Sequence, residues 1–195
     1  MATRVAAPTL WPELCGEFQL VGRWDVIAVT GFNSFQYAAN PVAAVAEAGR
    51  VTRPGGRVVV AVWGTPEETE ASAYIRALGS QMPAPPPGTP GPFALSADGA
   101  LAALVEGAGL QAVVTDSVSC PWEYPDEETA LRGLLSAGPA IRAIDHAGEG
   151  TVRRAVLDAI MPYRQPSGSY VMQNRFRLVI AEVLRSHSLI SMDFP

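Results

Sequence analysis

Residues 24–64 carry the strongest constraint on what this chain can fold into: a buried-type strand run, a short polar turn, a helix and a second strand run. The first run is Asp25-Val26-Ile27-Ala28-Val29-Thr30, and the second is Arg57-Val58-Val59-Val60-Ala61-Val62-Trp63. Near-continuous apolar runs of this length suit strands covered on both faces, as in a parallel sheet. Two of them joined by a helix make a βαβ unit, whose ligands collect beyond the carboxyl ends of the strands. The turn Gly31-Phe32-Asn33-Ser34-Phe35-Gln36-Tyr37 holds that position.

The helix between the runs is well specified. Asn40 suits an N-cap, and Pro41 suits the first helical position, where a missing N–H costs no bond. Val42, Val45 and Gly49 share one face, with Glu47 and Arg50 turned to solvent. Gly55-Gly56 supplies the positive-φ stop that returns the chain to the sheet.

A chain of 195 residues fits one domain with a sizeable core. The net charge is −5 and all fourteen basic residues are Arg, without a cluster, which argues against nucleic acid as a partner. Cys15 and Cys120 form no CxxC and no metal-type spacing, as expected for reduced cysteines in the cytoplasm and for a protein without a metal. No apolar stretch approaches the roughly 20 residues of a membrane helix, and no signal-peptide pattern opens the chain, so a soluble, cytoplasmic protein is expected.

Further signals follow in order. Residues 10–15 read as a short edge strand, limited by Pro12. Thr65 and Glu68 have capping-box spacing, which predicts a helix to about Leu78. The Pro-rich stretch 82–92 reads as extended. Ser96 is expected to cap a helix with Leu101, Leu104, Val105 and Ala108 as its apolar face, ended by Gly109. A strand follows over 110–118. A helical insertion is expected from Pro125 to about Tyr163, broken at Gly138-Pro139, with a second helix from Thr151 carrying Val152, Val156 and Ile160. The last strand spans 174–183.

The string Trp-Asp-Val-Ile-Ala-Val-Thr-Gly-Phe-Asn-Ser-Phe-Gln-Tyr, followed by Arg-Val-Thr-Arg-Pro-Gly-Gly-Arg-Val-Val-Val-Ala-Val-Trp-Gly, resembles the middle of class I S-adenosylmethionine-dependent methyltransferases of the small-molecule, UbiE-like (type 11) group. The similarity covers about residues 10–182. It implies an α/β fold: an incomplete Rossmann-like sheet equivalent to strands 3–7, the last one antiparallel, with a helical lid insertion over about 120–165. The whole chain would be a single, N-terminally truncated domain.

The resemblance also implies a site. Glu17 would bind the adenine amino group, with Phe18 on the adenine face. Phe32, Asn33 and Ser34 would face the methionine end of S-adenosylmethionine. Gln36, Tyr37 and Trp63 would meet a hydrophobic small-molecule substrate. Methyl transfer from a sulfonium is an in-line displacement that relies on alignment and desolvation more than on a strong base. The catalytic set is therefore unknown, and His146 is the one weak candidate for a base.

The chain departs from that family in containing no Gly-x-Gly-x-Gly, the loop whose backbone approaches the cofactor. Two functions follow. One is a methyltransferase; the alternative is a non-catalytic or repurposed protein on the same fold, such as a partner subunit or an enzyme independent of S-adenosylmethionine. Without the strand that normally lies beside it, the 25–30 strand would have an open edge lacking Lys, Pro or a bulge. Residues 10–15, an upstream segment, or another chain could cover it, and a homodimer or partner chain at this edge is expected.

Overall fold

The computed structural model describes residues 26–184. The expected 10–15 strand, Glu17, Phe18, Cys15 and His187 lie outside the described residues. In chain order the elements are β1 (Val26–Phe32), α1 (Pro41–Val51), β2 (Thr52–Trp63), α2 (Ser72–Gly79), α3 (Ala100–Gly107), β3 (Gln111–Ser119), β4 (Trp122–Tyr124), α4 (Glu127–Leu135), α5 (Gly138–Ala147), α6 (Glu149–Ile160), β5 (Tyr170–Met172) and β6 (Arg175–Glu182). One sheet has the order β1-β2-β6-β3, and a smaller one pairs β4 with β5. No helix among the described residues is long and apolar enough to cross a membrane.

β1 and β2 are parallel, with Thr30 beside Val59 and Phe32 beside Ala61. β6 runs the opposite way to β2. Gly55 N–H donates to the Val183 carbonyl at one end of the pair, and Gly64 N–H to the Arg175 carbonyl at the other. The α/β class and the antiparallel last strand are thus as the sequence implied.

The chain divides into two compact units. The first holds the described residues to Val62, Asp98–Asp116 and those from Leu178 onward. Its core joins Val45 of α1, Val58, Val60 and Val62 of β2, and Leu101, Leu104 and Val105 of α3, all buried. Full burial of a valine contributes about 1.5–3 kcal/mol. Asn40 caps α1 as expected, its side chain accepting from Ala43 N–H at 3.0 Å, and Pro41 opens the helix. The helix ends at Thr52 rather than at the glycines. Gly55 does take a positive φ of 77°, but inside β2, where the β1–β2 register shifts. A Cβ on Gly56 would stand 2.5 Å from Thr52 Cγ2 and 2.6 Å from the Ile27 carbonyl oxygen, so only glycine fits there.

The second unit, Trp63–Ala97 with Ser117–Arg177, gathers α2, α4, α5 and α6 with the β4–β5 pair. Leu131, Val152, Val156, Ile160, Tyr170 and Met172 are its fully buried centre. Three expectations need correction here. The segment after Thr65 is not one helix: the capping box forms, but on a 3-10 turn at Pro66–Glu68. Thr69 then bridges to Asn174, and Glu70 N–H donates to the Gln173 carbonyl, so strand-like pairing interrupts the helix before α2. Ser96 caps nothing, because its hydroxyl donates to the Trp63 carbonyl at 2.7 Å, and α3 starts after Gly99 with φ 76°. The insertion holds three helices instead of two. Gly138-Pro139 does end α4, but proline at a first-turn position also starts α5, and Gly148 at φ 83° separates α5 from α6.

Trp122 and Tyr124 are likewise strand residues, opposite Met172 and Tyr170. Beside them the Tyr74 hydroxyl donates to the Leu134 carbonyl at 2.8 Å. Burial first, and the Tyr124 phenol second, push the Tyr74 pKa up to about 12. A phenol harder to ionise in the fold than in the unfolded chain contributes stability that is complete below its ordinary value of 10.0 and is lost as pH rises through about 12. Urea midpoints are therefore expected to fall across that window, and less steeply in Tyr74→Phe. Identical slopes in the two proteins would rule Tyr74 out as the source.

Candidate functional site

The site candidate in the first unit is the turn that leaves β1. Gly31 is buried and has no room for a side chain: a Cβ would stand 2.2 Å from Phe35 Cε2, because the Phe35 ring folds back over it. Asn33 takes φ 46°, a left-handed backbone that asparagine tolerates better than other side-chain-bearing residues. Its N–H donates to the Ala61 carbonyl at 2.8 Å, which ties the turn to β2. The chain then closes a 3-10 turn over Phe35–Tyr37, with Tyr37 N–H donating to the Ser34 carbonyl at 3.1 Å. Backbone bonding, not side-chain packing alone, therefore sets the positions of Asn33 and Ser34.

Gln36 is the polar residue that this turn buries, at 1% exposure. Its Nε2 donates to Asn33 Oδ1 over a long 3.4 Å, and its Oε1 finds no partner among the described residues. A buried acceptor left unbonded costs about 1–3 kcal/mol. Tyr37 is half-exposed, its pKa raised by burial and drawn back by the Gln36 amide. Phe32 is 65% exposed. The turn thus offers two amides, two hydroxyls and three aromatic rings, and no carboxylate or imidazole. Such a set binds and orients polar groups; it does not take protons strongly.

The sequence-derived residues fall into two places. Phe32, Asn33, Ser34, Gln36 and Tyr37 come together at the carboxyl end of β1. Trp63 belongs to the second unit, 8% exposed, with its ring 4.4 Å from Phe176 and 5.5 Å from Trp122 between centroids. Tyr74 extends this aromatic group through Trp122 at 6.2 Å. His146 is exposed in the last turn of α5. Sequence reasoning passed over Phe35, whose signal was an aromatic four residues after a strand-end glycine. It also passed over Thr69, whose buried hydroxyl oxygen has no partner among the described residues.

No family model matches the chain, and no curated protein matches it in sequence. Solved structures do. A proposed methyltransferase of Bacillus halodurans is 13% identical, with 88% of this chain and 69% of that one covered, at a TM-score of 0.51. The YcgJ protein of Bacillus subtilis is 13% identical over 88% and 69%, at 0.46. A SAM-dependent methyltransferase of Thermotoga maritima is 10% identical over 84% and 58%, at 0.40. At such identities the likeness is one of fold. The α/β fold, with its partial sheet and several helices, is that of the methyltransferase structure from Bacillus halodurans.

Proposed function

We propose that this chain, on its class I methyltransferase fold, binds S-adenosylmethionine and transfers its methyl group to a hydrophobic small molecule in the cytoplasm. The observation that carries the reading is the turn after β1: a left-handed Asn33 tied to β2, beside a buried amide with an unmet acceptor. Its chemistry suits the amino-acid end of such a cofactor, because amides and hydroxyls can bond an ammonium and a carboxylate without competing for protons. When bound, the cofactor supplies an electrophilic methyl on a sulfonium.

The chain's own residues supply position. Asn33 and Ser34 hold the methionine end, and Phe32 excludes water from it. Gln36 and the Tyr37 hydroxyl orient the acceptor molecule. Glu17 and Phe18 receive the adenine. This division leaves in-line alignment, not general-base strength, as the source of rate.

One sequence observation favours a second reading. No Gly-x-Gly-x-Gly occurs in the chain, so a repurposed or non-catalytic protein on this fold is the alternative. Calorimetric titration with S-adenosylhomocysteine separates the two. Binding at or below about 100 μM, near −5.5 kcal/mol, is expected for the enzyme. Asn33→Gly keeps the left-handed turn and removes the amide, with its long bond from Gln36; it is expected to weaken that binding about tenfold, the worth of one hydrogen bond to a charged group. No heat at millimolar ligand would overturn the cofactor reading.

A further inference from the structure

Three methionines fall among the described residues, and their surroundings differ. Met172 is fully buried in the core of the second unit, and Met82 is partly buried against that core. Met161 is 46% exposed, in the 3-10 turn Met161–Tyr163 that follows α6. A thioether sulfur open to solvent is the form of methionine that oxidants reach.

The Met161 sulfur also has a polar partner. The Tyr170 hydroxyl donates to Met161 Sδ at 3.6 Å and to Glu127 Oε2 at 3.4 Å. A phenol has one proton to give, so these two acceptors share it. Neither is a good bond: a thioether sulfur accepts weakly, and the carboxylate lies beyond the roughly 2.5–3.0 Å of an ordinary O–H···O contact. The hydroxyl of a fully buried residue is thus weakly held on both sides. The sheet fixes the backbone that carries it, because Tyr170 pairs with Tyr124 of β4 and bridges to Arg164.

We propose that Met161 is a site of sulfur oxidation by hydrogen peroxide, with Tyr170 as the donor that holds the resulting sulfoxide. A sulfur lone pair attacks one peroxide oxygen, and the O–O bond breaks as the S–O bond forms. The proton on the transferred oxygen passes to the departing one, which leaves as water. Sulfur loses two electrons and the peroxide gains them. The product oxygen is polar and accepts far more strongly than the thioether did. The Tyr170 hydroxyl already stands beside the sulfur, so oxidation replaces its weak bond with a strong one and releases its proton from Glu127. The site does not depend on the proposed reaction.

Peptide mass mapping of the full chain during exposure to millimolar hydrogen peroxide tests this. The peptide carrying Met161 is expected to gain one oxygen at least about tenfold faster than the peptide carrying Met172, following exposure. Urea unfolding before and after oxidation tests the role of Tyr170. Tyr170→Phe keeps the buried ring and removes the donor. On oxidation its folding equilibrium constant is expected to fall about fivefold further than that of the unsubstituted chain, the worth of one hydrogen bond. Met161→Leu lacks the site, so any change it still shows on oxidation belongs to other methionines and is subtracted. Oxidation of Met161 no faster than Met172 overturns the proposal. So does an equal effect of oxidation on Tyr170→Phe and the unsubstituted chain.

Discussion

Ile160→Ala is expected to lower stability by about 3–4 kcal/mol, read as a shift in the urea midpoint at constant slope. Ile160 is fully buried with Leu131, Val156, Tyr170 and Met172 in the core of the second unit. The cost has two parts: the lost transfer of the removed methyl groups, and the cavity that the surrounding side chains leave unfilled. Val152, Val156 and Ile160 repeat at the four-residue spacing that lines one face of α6, so the cavity opens at a helix seam with little freedom to close. Ile141→Ala is the comparison, because Ile141 is 49% exposed and should change stability by no more than about 0.5 kcal/mol. Equal losses in the two variants would mean that α6 does not pack as described.

Asn174→Leu should cost about 3 kcal/mol by a different route. Asn174 is 2% exposed, its Oδ1 accepting from Ala71 N–H at 2.9 Å and its Nδ2 donating to the Met172 carbonyl at 3.2 Å. Leucine has nearly the same size and would orphan both groups, each on a fully buried residue. The loss therefore comes from unmet polar groups rather than from volume. Amide exchange at Ala71 should speed up well beyond the global change. Protection at Ala71 that merely tracks global stability would show that the side-chain bond is dispensable.

Part of this architecture was legible in the residues. Asn40-Pro41 marked the start of α1, and Thr65 with Glu68 marked a capping box though not the turn it closes, because caps depend on bonds within four residues. The two apolar runs marked adjacent parallel strands, but the burial on both faces expected of such runs holds for β2 only, since most of β1 is exposed. The turn after β1 was legible as a candidate for the same local reason: polar residues stood where a βαβ unit leaves its ligand space. Ser96 and residues 65–78 were misread, since their hydrogen bonds go to Trp63, Gln173 and Asn174, which no local pattern can name. Gly138-Pro139 was read only as a break because a proline that ends one helix and one that starts the next look alike in sequence.

Local rules, then, were sufficient for the order and type of most elements, the class of the sheet and the place of the candidate turn. They rest on interactions between near neighbours and on the period of burial, both written along the chain. Two features depended on partners far apart in sequence: the strand order β1-β2-β6-β3, and the enclosure of Trp63 by Phe176 and Trp122. Each arises from packing that brings residues from distant segments together, and so appears only once the chain has folded.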